Sequence, residues 1–315
     1  MVDSHRYPQR YCDIGEWAVE LEENIDRLLE KNGLLQPDRL PIEAIGIGSR
    51  GHVDYKKQLL LSASIMNVTP GFDLCGRLGK RYGCKAYIDN DVKAVACAEI
   101  VFGAGRECDH FICYNVGTGI AAAVVAGARL IRGEHNNAGE ICRDVIHRSD
   151  ADTACCGLEA AASGRGIEQE AARRLADWPE SVLNRCAGPV TVREVFAACR
   201  EGDGLAEAVT DSAAHVLAAS VVGMQHLLDP DRFIFVGGVV SDTWFFERLK
   251  GRIRELAKET GTEWSADLQV SGFGTEYAGL LGAASVAFYG MSGCGAVRHC
   301  GEYADPPIRT GCNVE

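Results

Sequence analysis

Strand-like apolar runs and amphipathic helical segments alternate along this chain, and the alternation limits the possible folds more than any other feature. In chain order the predicted elements are helix 16–31, strand 42–51, helix 72–83, strand 85–91, helix 92–103, three strands between 110 and 133, helices 159–176, 191–202 and 204–228, strand 232–238, helix 242–260, strand 267–273 and helix 275–289. This order predicts an α/β protein with parallel sheets between helices and with ligands at the carboxyl ends of strands.

The three successive strands that begin near residue 110 restart the pattern, and 315 residues are enough for two hydrophobic cores. We therefore predict a small lobe over 1–112 and a large lobe over 113–290, whose last helix packs back toward the small lobe. Residues 291–315 contain Gly, Pro and Cys without periodicity, which predicts a loose tail.

Charge and composition argue against several classes of function. A net charge of −12 without a Lys/Arg run argues against a nucleic-acid partner. No apolar stretch approaches the roughly 20 residues that cross a bilayer, and the polar first residues lack a secretion signal, so we expect a cytoplasmic protein without a membrane partner.

The 14 cysteines are scattered along the chain and include no C-x-x-C pair. Spacing alone therefore supports neither a zinc site nor a thiol–disulfide site. Cys97, Cys113 and Cys199 lie inside apolar runs, and we expect them to be buried as small hydrophobic residues.

The segment IDNDVKA (88–94) ends a predicted strand and begins a predicted helix. Its carboxylates fit a helix N-cap, and they fit a general base held rigidly at a strand end equally well. Two glycine turns follow later: NVGTGIA (115–121) suits a phosphate but also a plain hairpin, and FVGGVVSD (235–242) suits a nucleotide.

The order of the short motifs is more specific than any one of them. PGFDL, IDND, GTGI, AGEI, CGLEAAASG and FVGG follow one another between about residues 42 and 290. This order resembles the ROK family of sugar kinases and sugar-responsive repressors. The resemblance implies two lobes of the actin-like, ribonuclease H-like ATPase fold, which close over ATP, with Mg²⁺, and a hexose.

The resemblance also implies roles for residues of the predicted sugar site. Asp91 is the base that takes a proton from the sugar hydroxyl, and Asn90 and Asn67 hydrogen-bond the sugar. Glu140 and Glu159 match glutamates that bind sugar hydroxyls, which carboxylate oxygens do well because each accepts two hydrogen bonds.

For the nucleotide, the resemblance implies two sets of glycines. Gly117, Thr118 and Gly119 match the turn that binds phosphate. Gly237 and Gly238 match the turn that contacts adenosine.

The chain departs from the family around its zinc site. Cys142 and Arg143 stand where the family has glycine and histidine, and the three family cysteines are replaced at their aligned positions. Cys142, His147, Cys155 and Cys156 could in principle form a rearranged tetrad. Adjacent cysteines chelate one ion poorly, so we expect no bound zinc.

Two roles for Arg143 stay open. It pairs with Glu140 or Asp144 and fills the space that zinc takes in the family, or it points into the cleft. In the second case its planar fork of donors would select an acidic or N-acyl sugar.

A second departure lies near the amino terminus. The segment DIG (13–15) resembles the start of the family's Asp-x-Gly-Gly-Thr phosphate turn, but Glu16 and Trp17 replace its last two residues. The spacing to IGIGSRG (45–51) is also too short for two further strands. We therefore expect a small lobe without its first three strands, through either a late-assigned start or a real truncation.

Two hypotheses for function follow from the resemblance. The first is an ATP-dependent kinase, glucokinase-like or N-acetylmannosamine kinase-like, which phosphorylates a primary hydroxyl of a hexose or N-acylhexosamine. The second is a catalytically inactive sugar-binding or regulatory protein. Because no helix-turn-helix precedes the lobe, the DNA-binding branch of the family is disfavoured. A homodimer or homotetramer is expected.

Overall fold

The computed structural model describes residues 3–8, 10–34, 42–63, 66–146 and 156–291. His147 and Cys155, two ligands of the conceivable zinc tetrad, lie outside the described residues, as does the predicted tail beyond residue 291.

The first described elements, in chain order, are α1 (Ile14–Lys31), β1 (Ala44–Ser49), β2 (His52–Asp54), β3 (Leu59–Ser62), α2 (Leu74–Tyr82), β4 (Lys85–Asn90) and α3 (Asp91–Val101). The later ones are β5 (Phe111–Val116), β6 (Ile120–Ala126), β7 (Arg129–Ile131), β8 (Val145–Ile146), β9 (Cys156–Gly157), α4 (Leu158–Ala162), α5 (Gly164–Arg174), α6 (Val192–Arg200), α7 (Gly204–Leu228), β10 (Arg232–Val236), α8 (Thr243–Glu259), β11 (Asp267–Val270) and α9 (Gly274–Met291). The predicted helices and strands are all present, with bounds that shift by a few residues, but helix 159–176 is divided into α4 and α5. The short strands β2, β3, β8 and β9 were not predicted.

A two-stranded parallel sheet of β1 and β4 lies between two helical layers. Apolar side chains of α1 and α2 pack on one face with Ile45 and Ile47. On the other face α9 lies very close to β1, because a Cβ at Gly46 would come within 1.8 Å of the carbonyl oxygen of Ala283. Among the described residues no strand pairs with the other edge of β1.

The second sheet has five strands in the order β11-β10-β5-β6-β7. The first three are parallel to one another, whereas β6 pairs antiparallel with β5 and with β7. The predicted parallel pairing is therefore found for β11, β10 and β5, and β6 and β7 extend this sheet by antiparallel pairing. The physical reason is that tight turns join β5 to β6 and β6 to β7, whereas parallel pairing needs a long crossover.

Both faces of the five-stranded sheet are buried. Alternate residues of β5 and β10, such as Ile112 and Phe233, face the core formed with α7 and α8. Their neighbours, such as Cys113 and Ile234, face the core formed with α3 and α9. The predicted burial of three cysteines is confirmed, since Cys97, Cys113 and Cys199 are all buried.

Helix α7 corrects one expectation. Within the described part of the chain it is the helix that is long and apolar enough, by composition, to span a membrane. The sequence predicted no apolar stretch near that length. More than half of its most apolar window, 56%, is buried inside the protein, which fits a core helix.

Candidate active site

Asp91 lies where β4 ends and α3 begins. Asn90 caps α3, because its side-chain oxygen accepts a hydrogen bond from the backbone N–H of Val92 at 3.0 Å. Asp91 accepts from the same N–H, also at 3.0 Å. The capping alternative is thus confirmed for Asn90, while one carboxylate oxygen of Asp91 makes no hydrogen bond with the described residues.

The surroundings of Asp91 suit a proton acceptor. Burial raises the pKa of Asp91 above its ordinary value of 3.8. The N–H of Val92 and the positive charge of Arg50 lower this pKa, and the negative charge of Glu140 raises it. A carboxylate with a raised pKa is a stronger base once it is ionised, and the strand end fixes its position.

A buried ion pair anchors the strand end beneath Asp91. Arg132, on the segment after β7, forms an ion pair with Asp89, whose side chain is fully buried. Asp89 also accepts hydrogen bonds from the backbone N–H of Asn90 at 2.9 Å and from Asn136 Nδ2 at 3.2 Å. The guanidinium of Arg132 stacks on the ring of Tyr55 at 3.3 Å. The ion pair therefore joins β4, the β2–β3 hairpin and the segment that leads to Glu140.

The turn before Glu140 requires glycine. Gly139 has φ +90°, and a Cβ there would lie 1.9 Å from the carbonyl oxygen of Ala122. The Ala122 N–H donates to the Gly139 carbonyl at 2.8 Å. These contacts hold the turn against β6 and leave the Glu140 carboxylate exposed, where it accepts no hydrogen bond from the described residues.

Arg143 is exposed and, in the described part of the chain, forms no ion pair with Glu140 or Asp144. The pairing alternative is therefore not formed here. Burial, followed by the charges of Glu140 and Glu159, raises the pKa of the Cys142 thiol, while Arg143 lowers it. The charges of both glutamates thus act on the Cys142 thiol.

Glu159 lies directly against the predicted phosphate turn. Its Oε2 accepts a hydrogen bond from the backbone N–H of Ile120 at 3.0 Å. A Cβ at Gly119 would come within 2.4 Å of the same oxygen. The glutamate predicted to bind sugar is therefore in contact with the turn predicted to bind phosphate.

The two predicted glycine turns meet. A Cβ at Gly117 would lie 3.9 Å from the Cα of Gly237 and 4.0 Å from the nitrogen of Gly238. Gly237 has φ +110°, and a side chain there would collide with the carbonyl oxygen of Val116 at 2.4 Å. The first residue of α5, Gly164, donates its N–H to the Gly117 carbonyl at 2.8 Å.

A cavity of about 650 Å³ opens beside these turns. The amino-terminal ends of α5, α6 and α8 all reach its wall, and helix amino termini attract anions. Arg165 and Arg193 line it, and neither forms an ion pair or hydrogen bond with the described residues. The lining residues are Gly117, Thr118, Gly164, Arg165, Glu168, Thr191, Val192, Arg193, Phe196, Gly238, Val239, Ser241 and Asp242.

Asn67 is exposed beside the start of α1. Its backbone bridges to the Cys12–Ile14 segment, since its N–H donates to Cys12 at 2.6 Å and its carbonyl accepts from Ile14 at 3.0 Å. No hydrogen bond between described residues joins its side chain to the other predicted sugar residues, so its assignment stays a prediction.

Among the described residues, no group of three or more His, Cys, Asp or Glu side chains lies together as metal ligands would. The expectation of no zinc stays a prediction, because His147 and Cys155 lie outside that part. Magnesium needs fewer protein ligands, as it is usually held by one or two carboxylates together with substrate phosphates. The exposed carboxylates and the anion-attracting cavity fit magnesium that arrives with a nucleotide.

Sequence patterns missed several residues of this site. Arg132 and Asn136 follow a short strand without a recognisable motif, and their role depends on burial against Asp89. Arg165 and Arg193 each stand two residues after a helix N-cap, Ser163 or Thr191, which is the signal that could have found them.

The model of the ROK family matches residues 19–288. The glucokinase of Thermotoga maritima is 30% identical over 285 residues, which cover 84% of this chain and 85% of that protein. The bifunctional enzyme NanE/NanK of Brucella melitensis is 30% identical over 242 residues, 76% of this chain and 42% of that enzyme.

Two solved structures share the fold. The ROK hexokinase of Thermus thermophilus has a TM-score of 0.73 and 26% identity, and covers 91% of this chain and 90% of its own. A ROK family glucokinase of Streptomyces griseus, in complex with glucose and AMPPNP, has a TM-score of 0.69 and 27% identity. The match covers 88% of this chain and 89% of that one.

Proposed function

Because this chain belongs to the ROK family and has its two-lobed, actin-like α/β fold, we propose that it is an ATP-dependent sugar kinase. The proposed acceptor is a hexose or an N-acylhexosamine. Relatives support this class of acceptor, since they include glucokinases, a NanE/NanK enzyme and a β-glucoside kinase of Listeria innocua.

One observation carries the proposal: Glu159 contacts the predicted phosphate turn, and Asp91 lies at the end of β4 where α3 begins. The negative charge of Glu140 raises the pKa of Asp91, and the charges of Glu140 and Glu159 raise the pKa of Cys142. Glu159 also accepts a hydrogen bond from the N–H of Ile120 in the phosphate turn. A sugar held by these carboxylates would lie between a base and a bound nucleotide. A sugar kinase needs this arrangement.

The proposed chemistry assigns one task to each part. Asp91 takes the proton of the attacking hydroxyl, while Glu140 accepts hydrogen bonds from other hydroxyls of the sugar. The turn at Gly117–Gly119 and the amino ends of α5 and α6 hold the phosphates through backbone N–H groups. Magnesium, when bound with ATP, would neutralise part of the phosphate charge.

A catalytically inactive sugar-binding protein is the second candidate, and Asp13 favours it. The Asp13 side chain caps α1 by accepting from the N–H of Gly15 at 2.8 Å, so the segment that resembles a phosphate turn is used as a helix start. We propose that the edge of β1 that no described strand occupies accommodates a further strand, as expected for a small lobe without its first strands.

A coupled assay for ADP release tests the proposal. Purified protein with ATP and magnesium should release ADP when glucose, mannose or an N-acetylhexosamine is added, and Asp91→Asn should abolish that release. Sugar binding without ADP release would favour the second candidate. Absence of both binding and turnover across the panel would contradict the proposed function. The cytoplasmic location and the homo-oligomeric state stay predictions.

A further inference from the structure

Asn136 lies in the segment that leads from β7 to Glu140, and its side chain is buried. The residue is 7% exposed although it belongs to neither a helix nor a strand. Its φ of +58° is in the left-handed region, which Asn and Gly tolerate better than other residues do. A buried amide in such a backbone conformation is held there by the contacts around it.

Three neighbours match the hydrogen-bonding groups of the Asn136 amide. Its Nδ2 donates to the carbonyl oxygen of Val53 in β2 at 3.1 Å and to Asp89 Oδ1 at 3.2 Å. Its Oδ1 accepts from Arg132 Nη1 at 3.3 Å. A carbonyl and a carboxylate only accept, and a guanidinium only donates. The amide therefore satisfies all three neighbours, whereas a carboxylate of the same shape would satisfy only the guanidinium.

The contact with Asp89 leads to the candidate base. The same oxygen, Asp89 Oδ1, accepts from Asn136 Nδ2 and, at 2.9 Å, from the backbone N–H of Asn90. Asn90 directly precedes Asp91 in the chain. The amide and the peptide next to the base thus share one acceptor atom, so removal of the amide changes the position of that atom.

Asn136 also stands in the turn that ends at Glu140. The Glu140 N–H donates to the carbonyl oxygen of Asn137 at 3.2 Å, and the Ala138 N–H donates to the carbonyl oxygen of Arg132 at 3.0 Å. These two bonds fold the segment around Asn136 into a compact loop. The amide fastens this loop to the end of β4.

We propose that Asn136 is a positioning residue, which holds the strand end of Asp91 and the turn of Glu140 at the separation that aligns a sugar hydroxyl with the base. This inference rests on the proposed function, in which Glu140 binds the sugar and Asp91 takes the proton. Without the amide, the sugar would still bind but its hydroxyl would be displaced from the base. A displacement of about 1 Å can lower a rate about 100-fold, so Asn136 should contribute to kcat more than to sugar affinity.

Asn136→Gly tests this role, because glycine adopts the left-handed backbone without strain and the change removes the amide. ADP release is measured with whichever of glucose, mannose and N-acetylmannosamine the wild type phosphorylates fastest, at a temperature where circular dichroism shows each variant to be folded. Asn136→Gly should lower kcat at least about tenfold and change the KM for that sugar less than about threefold. Asn137→Ala is the matched control, since this neighbouring asparagine is exposed, and it should keep the wild-type kcat and KM.

Asn136→Asp separates the donor role from space filling. The variant keeps the shape of the side chain, but it exchanges both donors for acceptors that face Asp89 and the Val53 carbonyl oxygen. It should therefore lose at least as much kcat as Asn136→Gly, whereas a side chain that only fills space would be replaced better by Asp than by Gly. If Asn136→Gly does not fold, the kcat of Asn136→Asp against wild type gives the same test.

Three outcomes would overturn the assignment while the wild type still phosphorylates a sugar. The first is a wild-type kcat in folded Asn136→Gly, whatever its melting temperature, which would make the amide structural. The second is a raised KM at unchanged kcat, which would mean that Asn136 serves sugar binding. The third is a higher kcat in Asn136→Asp than in Asn136→Gly. A wild-type protein that phosphorylates none of the three sugars would remove the proposed function and this inference together.

Discussion

The buried ion pair between Asp89 and Arg132 should be the most costly contact of the site to break. The Asp89 side chain is fully buried and that of Arg132 is 13% exposed. Asp89→Asn would leave the guanidinium without its counter-charge in a place that water barely reaches. Removing one partner of such a pair typically costs about 3–5 kcal/mol in the free energy of unfolding.

Urea unfolding at neutral pH measures this cost. Asp89→Asn, Arg132→Met and the double variant form a cycle, and the double variant should be less destabilised than the sum of the single ones. Lys56→Met is the control. Lys56, in the β2–β3 hairpin, pairs with Glu134 on the segment after β7, as Tyr55 and Arg132 do, but both side chains of this pair are exposed. Its unfolding midpoint should match that of the wild type.

Two results would refute this account of the ion pair. The first is an Asp89→Asn variant no less stable than Lys56→Met, which would mean that water or a neighbouring group replaces the lost charge. The second is an additive cycle, which would mean that the two side chains stabilise the protein independently. A destabilised variant should also bind sugar more weakly, because Asp89 holds the N–H of Asn90 beside the base.

Three further predictions concern single positions. Burial raises the pKa of Asp91, so the folded protein holds that proton more tightly than the unfolded chain, and the ionised carboxylate costs stability above the folded pKa. At pH 7 the Asp91→Asn variant should therefore melt at a higher temperature than the wild type, and a lower melting temperature would contradict this reasoning. The acid limb of the wild-type pH–rate profile should have its midpoint above pH 3.8. Gly139→Ala should lower the free energy of unfolding in urea by about 2 kcal/mol or more, because its Cβ would lie 1.9 Å from the Ala122 carbonyl oxygen. Gly127→Ala, with φ +57° and nothing within 4 Å, should lower it by about 1 kcal/mol, and equal losses would refute the collision. Arg193→Ala should weaken ATP binding in calorimetry without changing sugar affinity, and unchanged ATP affinity would show that this arginine does not contact the nucleotide.

Local patterns were enough for most of the fold. Helix α7 begins and ends as expected because Asp203 caps it and Asp229 turns left-handed at φ 41° before a proline. The strand that ends in Asn90 was recognisable because its apolar run meets a capping residue. These signals lie within a few residues of the element that they define, so a single sequence contains them.

Contacts between distant segments could not be read from such patterns. The ion pair of Arg132 joins positions 43 residues apart in the chain and depends on the hairpin stacking against it. The contact of Glu159 with Ile120 joins positions 39 residues apart, and it puts a predicted sugar ligand on the phosphate turn. Lys93, in the first turn of α3, looks like a solvated residue in the sequence, yet packing leaves it 1% exposed.

Phosphorus–proton correlation NMR of a reaction with ATP, magnesium and the best-binding sugar tests the central claim most directly. The account predicts a new phosphate monoester whose phosphorus couples to the protons of the primary carbinol carbon, formed in step with ADP and absent with Asp91→Asn. ATP turnover without a sugar ester, or an ester that forms at an undiminished rate with Asp91→Asn, would contradict it.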